Sequence, residues 1–403
     1  MADRGPDALR RQLERQVRHW SGAIARLERL EDRAPAEAWD SLEGYLGVAL
    51  RRHLTGVVAT LAAEAARLRG ALAAAHTAGQ LEQVRRRLLA LRRRYFRTET
   101  TLDFYGDSVN TRVSPEIRAR LSALDAVARA SMTPVLGPAG IEPPPVLTYI
   151  DRGLGASILK AGMRLWDGDS VSPAAAIKIV FHNLRRPTAL IHEAGHQVAH
   201  LTGWNDELAG VLEGELAPPR EVAEAWAGWA SEIAADAFAF AHTGYPSVAA
   251  LHDVLAGEAR MVFRNPPGDP HPIPYLRVLL GAEMCRAFHG PEGRWTPLAE
   301  AWRSVYPLSE ADPETRRLIQ ESLPLLPRVA AVTLRRPMRS FGGRALASLV
   351  DPRRASPAAL AELSRRAGPA LLTSPYWAHR EGPRALAVEG LALESPSTHD
   401  LAA

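Results

Sequence analysis

Residues Leu190–His200 read LIHEAGHQVAH, and three of the chain's thirteen histidines fall in them at intervals of four. On a helix, His192 and His196 leave the same face one turn apart, so both rings can converge on a single ion. Glu193 lies roughly 100° further round the helix, within reach of a water at that ion but outside its coordination sphere. Arg186 and Pro187 are expected to open this helix and Gly203 to stop it. His200 stands a further ~6 Å along the same axis, too far to share an ion whose ligand bonds are about 2 Å. A metzincin-type third histidine needs a glycine that ends the helix first. Ala199 occupies that position, so His200 reads as a polar residue at the edge of the core.

Two histidines and a base still need a third ligand. The stretch WASEIAADAFAFAH (Trp229–His242) places Glu232 and Asp236 one turn apart. It is expected in one helix running from about Pro219 to His242. A carboxylate from a second helix completes a two-histidine, one-glutamate zinc site and leaves a position for water. Asp236 is then placed to accept the free ring N–H of a ligand histidine and fix its tautomer. The alternative is a solvated stripe, because Glu221, Glu224, Gly228, Glu232 and Ala235 share one helical face.

Working outward, 403 residues with 46% apolar side chains suffice for two or three domains with real cores. From Asp7 to about Ala130 the chain reads as successive amphipathic helices, with one apolar stripe at Leu9, Leu13, Val17 and Trp20. A second stripe runs through Leu54, Val57, Val58, Leu61 and Ala65. The basic run RRRLLALRRRYFR (Arg85–Arg97) reads as a solvated helix face carrying Leu88, Leu89, Leu91 and Tyr95, rather than as a nucleic-acid site. TETTLDFYGDSVNTR (98–112) is expected to break the helix, and Ser114-Pro115 to restart one through Ala130. The Pro- and Gly-rich run TPVLGPAGIEPPP (Thr133–Pro145) marks a domain connection. VLTYID and AAIKIVFHN after it are the strand-like pieces, and AAIKIVFHN is expected to be the edge strand beside the cleft.

Arginine dominates the 49 basic residues, Lys160 and Lys178 being the only lysines, so a net charge of +4 says little about a nucleic-acid partner. The single cysteine, Cys285, reads as a buried thiol in a helix and points to a reducing compartment. The amino terminus lacks a signal-peptide core, and no apolar run is long enough to span a membrane. The expectation is a cytoplasmic, soluble protein, unless a signal-independent route exports it.

At this point the chain resembles the gluzincin metallopeptidases, most closely the HtpX-like and CAAX-prenyl endopeptidase type. Those families carry HExxH, then a glutamate in ExxAD, then His-Pro followed by an arginine; here stand HEAGH, EIAAD and HPIPYLR, with His271-Pro272 and Arg277. The similarity covers about His182–Leu280. It implies His192, His196 and Glu232 as ligands of one zinc ion per chain, Glu193 as the base and Asp236 as a support behind the ligands. It also implies His271 as a residue that helps hold the substrate or its tetrahedral intermediate, with Arg277 assisting it or bracing the fold. HtpX-like enzymes are membrane-embedded and this chain has no such span, so the nearer comparison is with soluble minigluzincins. EIAADAFAFA also resembles the ImmA/IrrE family, which has no counterpart of HPIPYLR.

The resulting expectation is an α+β, predominantly α-helical protein. A helical bundle covers 1–132, and a zincin-like metallopeptidase domain with a small twisted sheet covers 133–290. A helical C-terminal region with a loose tail follows over 291–403. Its activity would be zinc-dependent endopeptidase hydrolysis of a polypeptide by Glu-assisted attack of zinc-activated water. The helical N-terminal region would be free to bind a protein partner. The alternatives are a narrow regulatory or toxin-like protease, and a partner-binding helical protein whose zinc site is structural or inactive.

Overall fold

In the computed structural model, residues 4–152, 156–162, 172–184 and 188–393 are described. The expected helix opening at Arg186-Pro187, and the tail beyond residue 393, lie outside them. The chain divides into two compact units, residues 1–119 with 161–176, and residues 120–160 with 177–403.

The first unit is helical. It contains α1 (Arg4–Leu27), α2 (Ala36–Leu46), α3 (Leu50–Ala73) and α4 (Ala78–Asn110). Leu13 and Val17 of α1 are buried, as are Leu54, Val57, Val58, Leu61 and Ala65 of α3. Thr77 starts α4 with a capping box shared with Gln80. The helix does not break at Thr98 as expected but continues to Asn110. Thr98, Thr101 and Ser108 send their hydroxyls back to the carbonyls of Arg94, Arg97 and Phe104 at 3.0, 3.0 and 2.8 Å. These polar residues thereby satisfy themselves inside the helix, while Leu102, Tyr105 and Val109 are buried. Arg85, Arg86, Arg87, Arg92, Arg93 and Arg97 are exposed, as the solvated-face reading requires; Leu89 is exposed with them rather than on the apolar face.

The second unit contains most of α5 (Pro115–Leu136) and the strands β1 (Val146–Ile150) and β2 (Ser157–Leu159), and most of β3 (Ala175–Ile179). Helices α6 (Thr188–Thr202), α7 (Trp204–Leu216), α8 (Arg220–Gly228), α9 (Ala230–Thr243), α10 (Tyr245–Leu255), α11 (Ala259–Val262) and α12 (Pro274–His289) follow. Beyond them come α13 (Trp295–Val305), α14 (Pro313–Ser322), α15 (Leu326–Arg335), α16 (Leu346–Leu349), α17 (Pro357–Ala367), α18 (Ala370–Thr373) and α19 (Pro375–Leu393). Fully buried Trp204, Trp226, Trp302, Phe238 and Phe240 anchor this core. The indole N–H of Trp226 donates to Ser322 Oγ at 3.2 Å, and that of Trp302 to the Tyr275 carbonyl at 3.3 Å. Cys285 is buried in α12, as expected.

The described residues are thus predominantly helical with one small sheet, whose strand order is β1-β3-β2. The strand expected at the edge, β3, is central; β2 and β1 form the edges. The cause is visible in its composition: Ala175, Ala176, Ile177 and Ile179 are all buried, the mark of a strand covered on both sides. No helix among the described residues is long and apolar enough to cross a membrane.

Candidate metal centre

Helix α6 carries HEAGH, and Gly203, with a φ of 72°, ends it as expected. Inside the motif, Gly195 faces α9: a Cβ there would lie 2.9 Å from the Cα of Ala235 and 3.0 Å from the Cβ of Phe238. The absent side chain lets the backbone of α6 approach the backbone of α9 at Ala235, which brings Glu232 over the histidines.

The single long helix expected from Pro219 to His242 is broken at Trp229, whose φ of −91° and ψ of 1° separate α8 from α9. Glu232 therefore occupies the first turn of α9 instead of mid-helix. The break also takes Glu232 off the solvated stripe: Glu221 and Glu224 are exposed, whereas Glu232 is buried.

His192, His196 and Glu232 each offer one ligand atom, and these atoms lie within 4.8 Å of one another. Glu232 Oε2 is 3.5 Å from His192 Nε2, and Oε1 is 3.2 Å from His196 Nε2. The opposite ring nitrogens are held from behind. His192 Nδ1 is 2.9 Å from Asp236 Oδ1, and His196 Nδ1 is 3.3 Å from Ser231 Oγ. Such contacts fix the tautomer that leaves Nε2 as the ligand atom. Two imidazole nitrogens and a carboxylate oxygen so brought together form a group that could hold a metal ion.

Arg277, buried in the first turn of α12, braces the acidic side. Its Nε and Nη2 donate to the two oxygens of Asp236 at 2.6 and 2.9 Å, and Nη2 also donates to Glu232 Oε2 at 2.9 Å. Burial alone would raise the Glu232 pKa, but contacts with His192, His196 and Arg277 outweigh it and hold the carboxyl far below its usual range. Burial opposes ionisation of Asp236 too, and Arg277 and His192 reverse the sign. Burial works against a protonated His192, yet Asp236 and Glu232 together push its pKa up to about 10.

Glu193 is buried beside the cluster. Burial, reinforced by the Glu232 charge, raises its pKa to about 7 against the pull of His192, Arg277 and Lys160. His200 is exposed and outside the cluster. His271 lies in the loop before α12, with Nε2 3.6 Å from Glu232 Oε1. The loop holds that ring through Asp269, whose Oδ1 is 2.6 Å from His271 Nδ1 and accepts from the His271 backbone N–H at 3.0 Å. Arg264 donates to the other oxygen of Asp269 at 2.6 Å. Burial alone would raise the Asp269 pKa, but His271 and Arg264 bring it down to about 2.

All of these groups except His200, Asp269 and Arg264 line one cavity of about 570 Å³. One end is this polar cluster, with Lys160 after β2 at its margin. The other end is an apolar cleft between α10 and α12, walled by Val248, Leu251, Leu280 and Met284. Gly281 permits that approach, since a Cβ there would meet Val248 Cγ1 at 2.9 Å.

Ser231, Asp269 and Lys160 were not singled out in the sequence. Asp269 stands two residues before His271, but an aspartate in a Gly-Asp-Pro turn has an ordinary reason to be there. Compared with protein-family models, with curated proteins and with solved structures, the chain matches none.

Proposed function

We propose that the second unit is a zinc-dependent peptidase, with His192, His196 and Glu232 holding one ion and Glu193 acting as the general base. The observation that carries this reading is the convergence of two ring nitrogens and a carboxylate in a cavity that also contains a buried glutamate outside the ligand set. A purely structural site has no use for that glutamate. The similarity of HEAGH, EIAAD and HPIPYLR to the gluzincin pattern supports the same reading.

A zinc ion so held supplies Lewis-acid polarisation of a peptide carbonyl and lowers the pKa of water from about 16 to about 7. The remaining work belongs to the chain. Glu193 takes a proton from the attacking water as its oxygen adds to the carbonyl carbon. The same carboxyl then delivers that proton to the amide nitrogen as the C–N bond breaks. His271, held at Nδ1 by Asp269, is positioned to stabilise the oxyanion that develops on the former carbonyl. Edge strand β2, whose Ser157 and Ile158 line the cavity, offers backbone groups to an extended peptide.

The test is to incubate the zinc-loaded chain with a pool of proteome-derived peptides and read new termini by mass spectrometry. Cleavage by the wild type and its loss in Glu193→Gln support the reading; equal cleavage by the variant overturns it.

A further inference from the structure

The cavity contains one cation that the proposed hydrolysis does not use. Lys160 follows edge strand β2 directly and is half-buried at the polar end of the cavity. Its ammonium makes no hydrogen bond or close ion pair among the described residues, although it lies near enough to Glu193 and Glu232 for their charges to act on it. The other cation lining this cavity, Arg277, is already engaged with Asp236 and Glu232. The only other lysine, Lys178, makes a surface contact with the Arg152 carbonyl at 3.4 Å. A partly desolvated ammonium without a hydrogen-bonding partner is costly unless a ligand supplies an anion.

The charge balance of the site points the same way. Arg277 and Lys160 offset the carboxylates of Glu232 and Asp236, so a divalent ion adds two positive charges that Glu193 alone can only partly neutralise. A positively biased, half-enclosed cleft attracts anionic ligands.

We infer that Lys160 binds a carboxylate of the substrate, so that acidic peptides are the preferred class. This rests on the peptidase reading. Because Lys160 stands at the end of the strand beside which an extended peptide would lie, that carboxylate belongs to an Asp or Glu flanking the scissile bond or to the peptide's own C-terminus. Both present the same chemistry to an ammonium.

The test uses the zinc-loaded full chain with three forms of one proteome-derived peptide pool: native, amidated only at the C-termini, and amidated at every carboxyl. Amidation of every carboxyl should lower cleavage by roughly tenfold, the weight of one charge-assisted hydrogen bond. Loss already on C-terminal amidation assigns the C-terminus; retention there assigns a side chain, and the cut sites then show Asp or Glu at a fixed position. Lys160→Met should erase the difference between pools, and Lys160→Glu should shift the preference to peptides carrying Lys or Arg near the cut. Unchanged preferences in Lys160→Glu overturn the inference while leaving the peptidase reading intact. If the wild type cleaves nothing, the peptidase reading falls. Lys160 is then judged by retention of the native against the fully amidated pool on immobilised, zinc-loaded Glu193→Gln protein. Equal retention rejects its role.

Discussion

Gly195 of HEAGH lies against Ala235 of α9 so closely that a Cβ on the glycine would stand 2.9 Å from the Ala235 Cα. This glycine between His192 and His196 thus sets how near Glu232 can come to both rings. In an exposed helix, Gly→Ala stabilises by about 1 kcal/mol. Here Gly195→Ala is expected to destabilise by about 1–3 kcal/mol, as overpacking does, and to weaken zinc binding by displacing α9. Urea denaturation with a zinc titration checks both; a stabilised variant with unaltered affinity contradicts the account.

Arg277 compensates two buried carboxylates at once. Arg277→Leu leaves Asp236 and Glu232 without that partner and should cost about 3–5 kcal/mol, the range for breaking a buried ion pair. Arg277→Lys should lose less, because it keeps the charge and forfeits only the forked donation to Asp236. Urea midpoints for the two variants give the ranking, and equal losses would show that the fork, not the charge, is what matters.

His271 faces Glu232 from a loop fixed by Asp269 and is not among the three clustered ligand groups. His271→Ala should lower kcat by about 100-fold, the loss seen when one donor to an oxyanion is removed, while zinc content stays at the wild-type level. Asp269→Asn should give a smaller fall in the same parameter. A change in zinc content with kcat per bound ion preserved would instead make His271 a ligand.

His242, in the last turn of α9, gives the fold a specific sensitivity to acid. Burial lowers its pKa to about 3, against a backbone hydrogen bond to Ser131 that works to raise it. An unfolded histidine titrates near 6.5, so as pH falls from about 6.5 towards 3 the unfolded chain takes up a proton that the native state refuses. Stability is therefore lost across that window. His242→Gln should show a shallower fall in melting temperature between pH 7 and pH 4 than the wild type; parallel curves would remove His242 from the acid response.

The helices were legible in the sequence wherever one face is apolar at helical spacing, as at Leu54–Ala65. The clustering of His192, His196 and Glu232 was legible because HEAGH and EIAAD each place polar groups one turn apart. Three features were hidden for physical reasons. Thr98–Asn110 looked like a break because Thr and Ser disfavour helix interiors, unless, as here, their hydroxyls bond back to the preceding turn. The three-residue strand β2 is too short to show any alternation, so β3 was placed at the edge in its stead. The division of α8 from α9 had a signal, Gly228 beside Trp229, but one glycine in an apolar run gives no direction to the bend. Ser231, Asp269 and Lys160 owe their places to tertiary contacts that local spacing does not encode.

The central claim is that His192, His196 and Glu232 hold a single ion, and native mass spectrometry of the zinc-reconstituted chain beside Glu232→Ala tests it most directly. One zinc per wild-type chain and none in the variant is the expected result. A wild type that retains no zinc, or a variant that retains as much, contradicts it.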